Sequence, residues 1–506
     1  MRSTAERFDV APGTGHGVDR NEEARLMSAT TAPKSEDLGR LSAHELRTLY
    51  ESGEASPVDA TQAALDRIDR FNDAVNAYCH VDHEGALAAA RESAERWARG
   101  EPLSPVDGIP CSIKDLAEVK GMPARAGSLT TSDEICDYDS PPADFMRRAG
   151  AVILGKTNTP EFGWKGVTDN RVFGATGNAW DTSKTSGGSS GGAASAAALN
   201  MGVLHQGSDS GGSIRIPAGF TGVFGFKPTF GWTPQWPPSK SAMLASIGPL
   251  TRDPRDAALM LNQIGRYHPD DVYARGGQPE DWGADIEPSV AGLRIAYSRT
   301  LGFANVDPQI AKAVDQVAER LEALGAEIVE ADPGIEEPID IYRKIWFTGA
   351  RVIWENIDED QREMLDPGLA ENAERAEDWA STDLFQAMDG RVRLGAHMAR
   401  FFQDYDLLLT PTLPLEAFAV NHQVPPDSDM HDWQEWANFS YPFNLTGQPG
   451  ASVPCGFTDN GLPIGFQLTA ERYQDTRIMS ACRAYMDAYP PRYPDVPNES
   501  APSGGR

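Results

Sequence analysis

An α/β fold, built on a mixed, largely parallel twisted sheet covered by helices on both faces, is predicted by three features of the sequence. Residues 293–330 read as strand, helix, strand; several short apolar runs end on glycine or proline; and the residues from 41 onward carry capped, amphipathic helix starts.

Ser42-Ala43-His44-Glu45 and Ser56-Pro57-Val58-Asp59 each set a serine three residues ahead of an acid. In that spacing the serine hydroxyl and the acid satisfy each other's backbone N–H groups at a helix start. Pro57 suits the first helical position, and Leu65, Ile68 and Phe71 follow at helical spacing. The runs 151–154 and 407–409 are too short for helices and show no polar alternation, so they predict strands covered on both faces. A strand is predicted over 293–297. The helix expected over 308–324 places Ile310, Val314, Val317, Leu321 and Leu324 on one face; Gly325 ends it, and a second strand is predicted over 326–330. Such a unit requires a parallel pair with a right-handed crossover. The stretch 336–400 is charged with scattered aromatics (Tyr342, Trp346, Phe347, Trp354, Trp379, Phe385) and predicts a helical cap rather than a sheet layer.

The chain has 506 residues, 40% hydrophobic and 24% charged, enough to bury a large core. One domain is expected over 39–495, with the cap as an insertion near 336–400. Residues 1–38 lack periodicity and are expected to be a disordered leader or to lie ahead of the true start, with Met27 as that start; 496–506 is expected to be a flexible tail. The formal charge of −29 argues against nucleic acid or an anionic membrane as a partner, since both need clustered cations. No run reaches the length of a membrane span, and the first 30 residues lack the apolar stretch of an export signal, so the expected location is the cytoplasm. Five cysteines without a C-x-x-C pair suit free thiols in a reducing compartment. The histidines never take a zinc spacing, His80 and His83 coming closest but lacking two further ligands, so neither metal nor cofactor is expected. A homodimer is the default assembly expected for a soluble globular protein of this size.

The chemistry is concentrated between 185 and 227. Gly187-Gly188-Ser189-Ser190-Gly191-Gly192 opens an alanine-rich helix over 193–199, and Gly207-Ser208-Asp209-Ser210-Gly211-Gly212-Ser213-Ile214-Arg215-Ile216-Pro217 follows. Glycine costs about 0.5–1 kcal/mol in regular structure, so two such clusters predict loops where backbone approaches something closely. Serines in such loops suit nucleophilic catalysis: the N–H groups over Ser210, Gly211, Gly212 and Ser213 can converge on an oxyanion, and the helix after Ser189 adds a favourable dipole. Flexible linkers and a phosphate nest are the bland alternatives. Linkers do not alternate with buried-type helices, and the sequence lacks a phosphate-loop pattern. The serine also needs a base. Asp107-Gly108-Ile109-Pro110-Cys111-Ser112-Ile113-Lys114-Asp115-Leu116 offers a lysine in an apolar strand. Such a lysine is commonly ion-paired or snorkelling, yet desolvation lowers its pKa until the neutral amine becomes a competent base.

These three blocks resemble the hallmark blocks of the amidase signature family. The serines lie 24 residues apart, and the tail Gly222-Val223-Phe224-Gly225-Phe226-Lys227-Pro228-Thr229 also fits, as do Asn158-Thr159-Pro160-Glu161-Phe162-Gly163-Trp164, Ile247-Gly248-Pro249-Leu250-Thr251-Arg252, Thr410-Pro411-Thr412 and Pro442-Phe443-Asn444-Leu445-Thr446-Gly447-Gln448-Pro449. The likeness covers about residues 40 to 490. It implies Ser213 as acylated nucleophile, Ser189 on a cis peptide after Gly188 as bridging serine, and Lys114 as base. Trp164, Gly187 and Gly188 are expected at the substrate, an aryl or hydrophobic amide, or an ester, anilide or carbamate. Asp209 and Arg215 are expected to brace the nucleophile loop as an ion pair, with Ser190 hydrogen-bonded nearby. Departures are Phe230-Gly231-Trp232, where a basic Gly-Arg stretch is common, and Leu204-His205-Gln206 before the second cluster.

Two further readings stay open. Gly187-Gly188-Ser189-Ser190-Gly191 also satisfies the G-x-S-x-G of an α/β-hydrolase with Ser189 as nucleophile, but His397, His422 and His431 sit in no recognisable context, and a packed role suits His205 better than that of base. The other is a glutamine-amidase component of a tRNA-dependent amidotransferase.

Overall fold

A computed structural model describes residues 38–275, 282 and 287–497. Apart from residues 38, 496 and 497, the expected leader, the Met27 start and the tail lie outside these described residues. Its centre is an eleven-stranded sheet, whose strands in chain order are β1 (Tyr78–Val81), β2 (Pro110–Lys114), β3 (Val152–Thr157), β4 (Leu204–Asp209), β5 (Phe224–Lys227), β6 (Ser246–Thr251), β7 (Arg294–Tyr297), β8 (Glu327–Glu330), β9 (Leu407–Pro411), β10 (Gly450–Phe457) and β11 (Pro463–Thr469). Across the sheet they run β1-β3-β2-β4-β6-β5-β10-β11-β9-β7-β8. The sheet is mixed. β2 is parallel to β3 and β4, and β7 is parallel to β8 and β9, while the run from β4 through β6, β5, β10 and β11 to β9 is antiparallel.

Local sequence accounts for these elements. Ser42 and Ser56 both form capping boxes, heading α1 (Ala43–Ser52) and α2 (Pro57–Val75). The βαβ unit is β7, α3 (Pro308–Ala323) and β8, and α3 turns Ile310, Val314, Val317 and Leu321 inward. Each such side chain contributes about 1.5–3 kcal/mol when fully buried. Every residue of β2, β3, β6, β9 and β11 is buried, which accounts for their unalternating apolar sequence.

The stretch 336–400 is helical: α4 (Ile339–Glu355), α5 (Pro367–Arg375) and α6 (Ser381–Phe401). With Trp164, Trp433 and Trp436 these helices form an aromatic core of their own, in which Tyr342 stacks on Trp346 and Tyr441. Three ties bind this layer to the 161–165 loop: Glu161 accepts from the Asp366 N–H, Lys165 pairs with Asp366 at 3.1 Å, and the Trp346 indole donates to the Trp164 carbonyl at 3.1 Å. No described helix is long and apolar enough to cross a membrane.

Candidate active site

Lys114 ends β2 and is fully buried. Its backbone N–H donates to Gln206 on β4, and its Nζ lies 2.7 Å from Ser189 Oγ, 2.9 Å from Ser190 Oγ and 3.0 Å from Ser208 Oγ. No carboxylate pairs with the amine among the described residues. Burial pushes its pKa well below the ordinary lysine value, opposed only by the more distant charge of Asp209.

The first glycine cluster is a loop running into the fully buried helix Gly191–Ala198. The Gly188–Ser189 peptide is cis. Thr168 pins the loop, its Oγ1 donating to the Gly187 carbonyl at 2.8 Å and accepting from the Gly191 N–H at 3.0 Å. At Gly188 a Cβ would fall 2.5 Å from the backbone of Val167, so only glycine lets the chain pass there. The two serine segments are joined directly, the Ser190 N–H donating to the Ser213 carbonyl at 3.1 Å.

The second cluster differs from the loop the sequence predicts. Gly207, Ser208 and Asp209 belong to β4, and the loop begins only at Ser210. Close approach within the sheet is the reason: a Cβ on Gly207 would meet Leu250 at 2.6 Å and Ser190 Oγ at 3.0 Å. Asp209 and Arg215 bracket the loop, both side chains fully buried, with Nε to Oδ2 at 3.0 Å. Asn444 donates to Asp209 at 2.8 Å and accepts from Arg215 at 2.6 Å. Burial alone would raise the Asp209 carboxyl, but Arg215 overrides it and holds the group far below the usual carboxylate range.

The expected oxyanion donors narrow. The Gly212 N–H donates to Asp209 Oδ1 at 2.7 Å and is consumed by the loop's own brace. Among the described residues, no acceptor takes the N–H groups of Ser210, Gly211 or Ser213. Gly211 is held from behind: a Cβ there would stand 2.1 Å from Tyr342 Oη on α4 and 2.9 Å from Trp433. Gly211→Ala is therefore expected to displace the loop by a fraction of an ångström and to lower kcat about 10- to 100-fold with little change in KM; steady-state kinetics and a melting curve check this.

Ser189, Ser208, Ser210 and Ser213 open on a cavity of about 340 Å³ walled by Phe162, Trp164, Trp346, Ile353 and Leu369, with Glu118, Gln235 and Lys240 also lining it. Trp164 is thus brought to the cavity, whereas Gly187 and Gly188 do not border it. Gly187 packs on Pro217 and Phe220, and Gly188 on Val167, so both shape the loop rather than touch the space beyond. Sequence reasoning gave no role to Ser208, Thr168 or Asn444. Residues 206 and 208 share one face of a strand, and both touch Lys114, so period-two alternation was the signal for Ser208. Nothing local marked the other two. No described histidine lines the cavity: His205 is buried beside Ser112 and pushed down to about 4 by burial, His397 bonds the Pro333 carbonyl, and His422 and His431 are exposed.

The fold is thus a mixed α/β sheet that carries a buried lysine among serine hydroxyls, beside a cavity with an aromatic and aliphatic wall. The family model described as Amidase matches residues 59–479, and the chain belongs to that family, the amidase signature enzymes, which makes it an amide-hydrolysing enzyme. It is similar to an acylamidase of Rhodococcus erythropolis, 34% identical over 456 residues, covering 88% of this chain and 94% of that one. It is also similar to a glutamyl-tRNA(Gln) amidotransferase component from Salinispora tropica, 35% identical over 480 residues, covering 88% and 97%. Among solved structures, a bacterial aryl acylamidase of the amidase signature family superposes with a TM-score of 0.82 at 28% identity, covering 89% of this chain and 96% of that one. A 6-aminohexanoate cyclic dimer hydrolase superposes equally well, at 27% identity, covering 91% and 100%.

Proposed function

We propose that this protein hydrolyses aryl or otherwise hydrophobic carboxylic amides, with esters, anilides and carbamates within reach of the same carbonyl chemistry. The reaction passes through an acyl-enzyme on Ser213, with Ser189 and Lys114 as proton relay. The observation that carries this reading is the Lys114 amine, fully buried, among three hydroxyls and without a carboxylate partner.

A neutral amine has two N–H groups and one lone pair, and three hydroxyl neighbours satisfy it when one of them donates. Ser190 gives its proton to the Ser208 carbonyl at 3.2 Å, which leaves its oxygen to accept. Ser189 has no other hydrogen-bond partner for its hydroxyl among the described residues, so its proton points to the lone pair. Bound substrate brings the Ser213 and Ser189 hydroxyls into contact; Ser213 Oγ then attacks the carbonyl carbon, its proton passes to Ser189, and the Ser189 proton passes to Lys114. The N–H groups of Ser210, Gly211 and Ser213 hold the oxyanion. The relay runs backward to protonate the leaving nitrogen, the amine departs, and water activated by the same relay releases the acid.

The aromatic wall supports an aryl or hydrophobic substrate. A second reading, glutamine as ammonia donor for a partner, is favoured by the amidotransferase relatives and by Glu118 and Lys240, side chains of opposite charge type that line the cavity beside Asp115, itself paired with Lys156. A substrate panel on the purified chain separates the two: benzamide, acetanilide, phenyl acetate, a phenyl carbamate, acetamide and glutamine. Aryl amides are expected to exceed acetamide in kcat/KM by about tenfold or more, since ring burial adds more than the ~1.4 kcal/mol that tenfold requires. Glutamine outrunning every aryl amide would move the assignment to the second reading.

A further inference from the structure

A second cavity, of about 420 Å³, lies away from the serines, where β10 meets the C-terminal segment. Phe457, Tyr485 and Tyr489 supply rings, and Arg320 and Arg492 supply cations. Arg320, on α3, donates to the Tyr485 hydroxyl at 2.9 Å and stands 4.8 Å over the Tyr489 ring. Arg492 stands 4.6 Å over the ring of Phe457. Neither guanidinium has a carboxylate within 4.0 Å among the described residues. β10 is irregular here, its register to β11 shifting between Pro454 and Gly456, so that the strand bends away beside the cavity.

We propose that this cavity is a binding site for a small aromatic monocarboxylate. The chain as a whole carries a formal charge of −29 and repels anions over most of its surface. Two guanidiniums share one cavity whose lining holds no acidic residue, and their planar forks match the two oxygens of a carboxylate. The rings already lie in cation–π contact with those guanidiniums, which lowers the ordering cost of binding. The same rings offer faces and edges to an aryl group. A simple inorganic anion would use the cations and leave the rings idle; a neutral arene would do the reverse.

The test uses the full-length protein and 4-fluorobenzoate, followed by calorimetry and by fluorine NMR at constant chloride concentration. Saturable binding with a Kd of about 1 mM or tighter is expected, with benzyl alcohol at least about tenfold weaker. Arg492→Gln and Arg320→Gln are each expected to weaken 4-fluorobenzoate about tenfold or more while leaving amide turnover unchanged. Arg320 also anchors Tyr485, so Arg492→Gln, which loses no hydrogen bond to a described residue, decides the matter if the other variant folds poorly. Binding that both variants retain would place the ligand outside this cavity and overturn the proposal. So would equal affinity for benzyl alcohol, or an absence of saturation. None of these outcomes depends on how Ser213 reacts, so the amide reading stands or falls separately.

Discussion

Ser213→Ala is expected to bring amide turnover down by about 10⁴-fold or more, close to the uncatalysed background, because the proposed acyl-enzyme forms on its hydroxyl. The residue is only 5% exposed and its hydroxyl holds no part of the Asp209–Arg215 brace, so the variant should melt within a few degrees of the parent. Labelling with a serine-directed sulfonyl fluoride, followed by peptide mass spectrometry, checks the assignment: the adduct is expected on Ser213. An adduct on Ser189 would transfer the nucleophile to the first glycine cluster and revive the G-x-S-x-G reading.

Lys114→Met removes the amine while keeping the length of the side chain, and is expected to cost about 10²- to 10⁴-fold in kcat/KM, the usual worth of a positioned base. The pH profile carries more information than the loss itself. In the parent, kcat/KM should rise as pH climbs through the lowered Lys114 pKa, because only the unprotonated amine takes a proton from Ser189. The variant should show no such limb. The same burial affects folding. Between its lowered folded pKa and the unfolded value of about 10.4, Lys114 binds a proton in the unfolded chain and not in the folded one, so stability rises with pH across that window. Denaturant melts at pH 7.5 and 9.5 should show a larger upward step for the parent than for Lys114→Met. Equal steps, with a parent activity flat from pH 6 to 9, would leave the neutral-amine mechanism without support.

Local signals were strong wherever one side chain decides one feature. The two capping serines, the one-sided helix Pro308–Ala323 and the unalternating strands were legible because each depends on spacing within a few residues. Lys114 was legible as an oddity, a charge in an apolar strand. Its environment was not: the hydroxyl of Ser208 and the amide of Gln206 reach it through the parallel pairing of β2 with β4, which brings together segments roughly ninety residues apart. The Gly212 N–H, expected to face an oxyanion, bonds Asp209 instead, and this too was hidden in the sequence. Whether an N–H faces the cavity or its own loop depends on where the Asp209 carboxylate sits, and Arg215 and Asn444 fix that position from other elements. The order of the strands was also beyond reach, since antiparallel neighbours such as β5 and β10 are far apart in the chain and share no turn.

The groups assigned to bond breaking come from the sheet and the loops leaving it, whereas much of the wall that an acyl group would touch comes from α4 and α5, fastened to the 161–165 loop by Asp366 and Trp346. Under the proposed mechanism, selectivity and reactivity are housed in different layers of the molecule. Exchanging Ile353 or Leu369 for a larger or smaller side chain is then expected to change which acyl groups are accepted, while the proposed proton path between lysine and serine stays as it is.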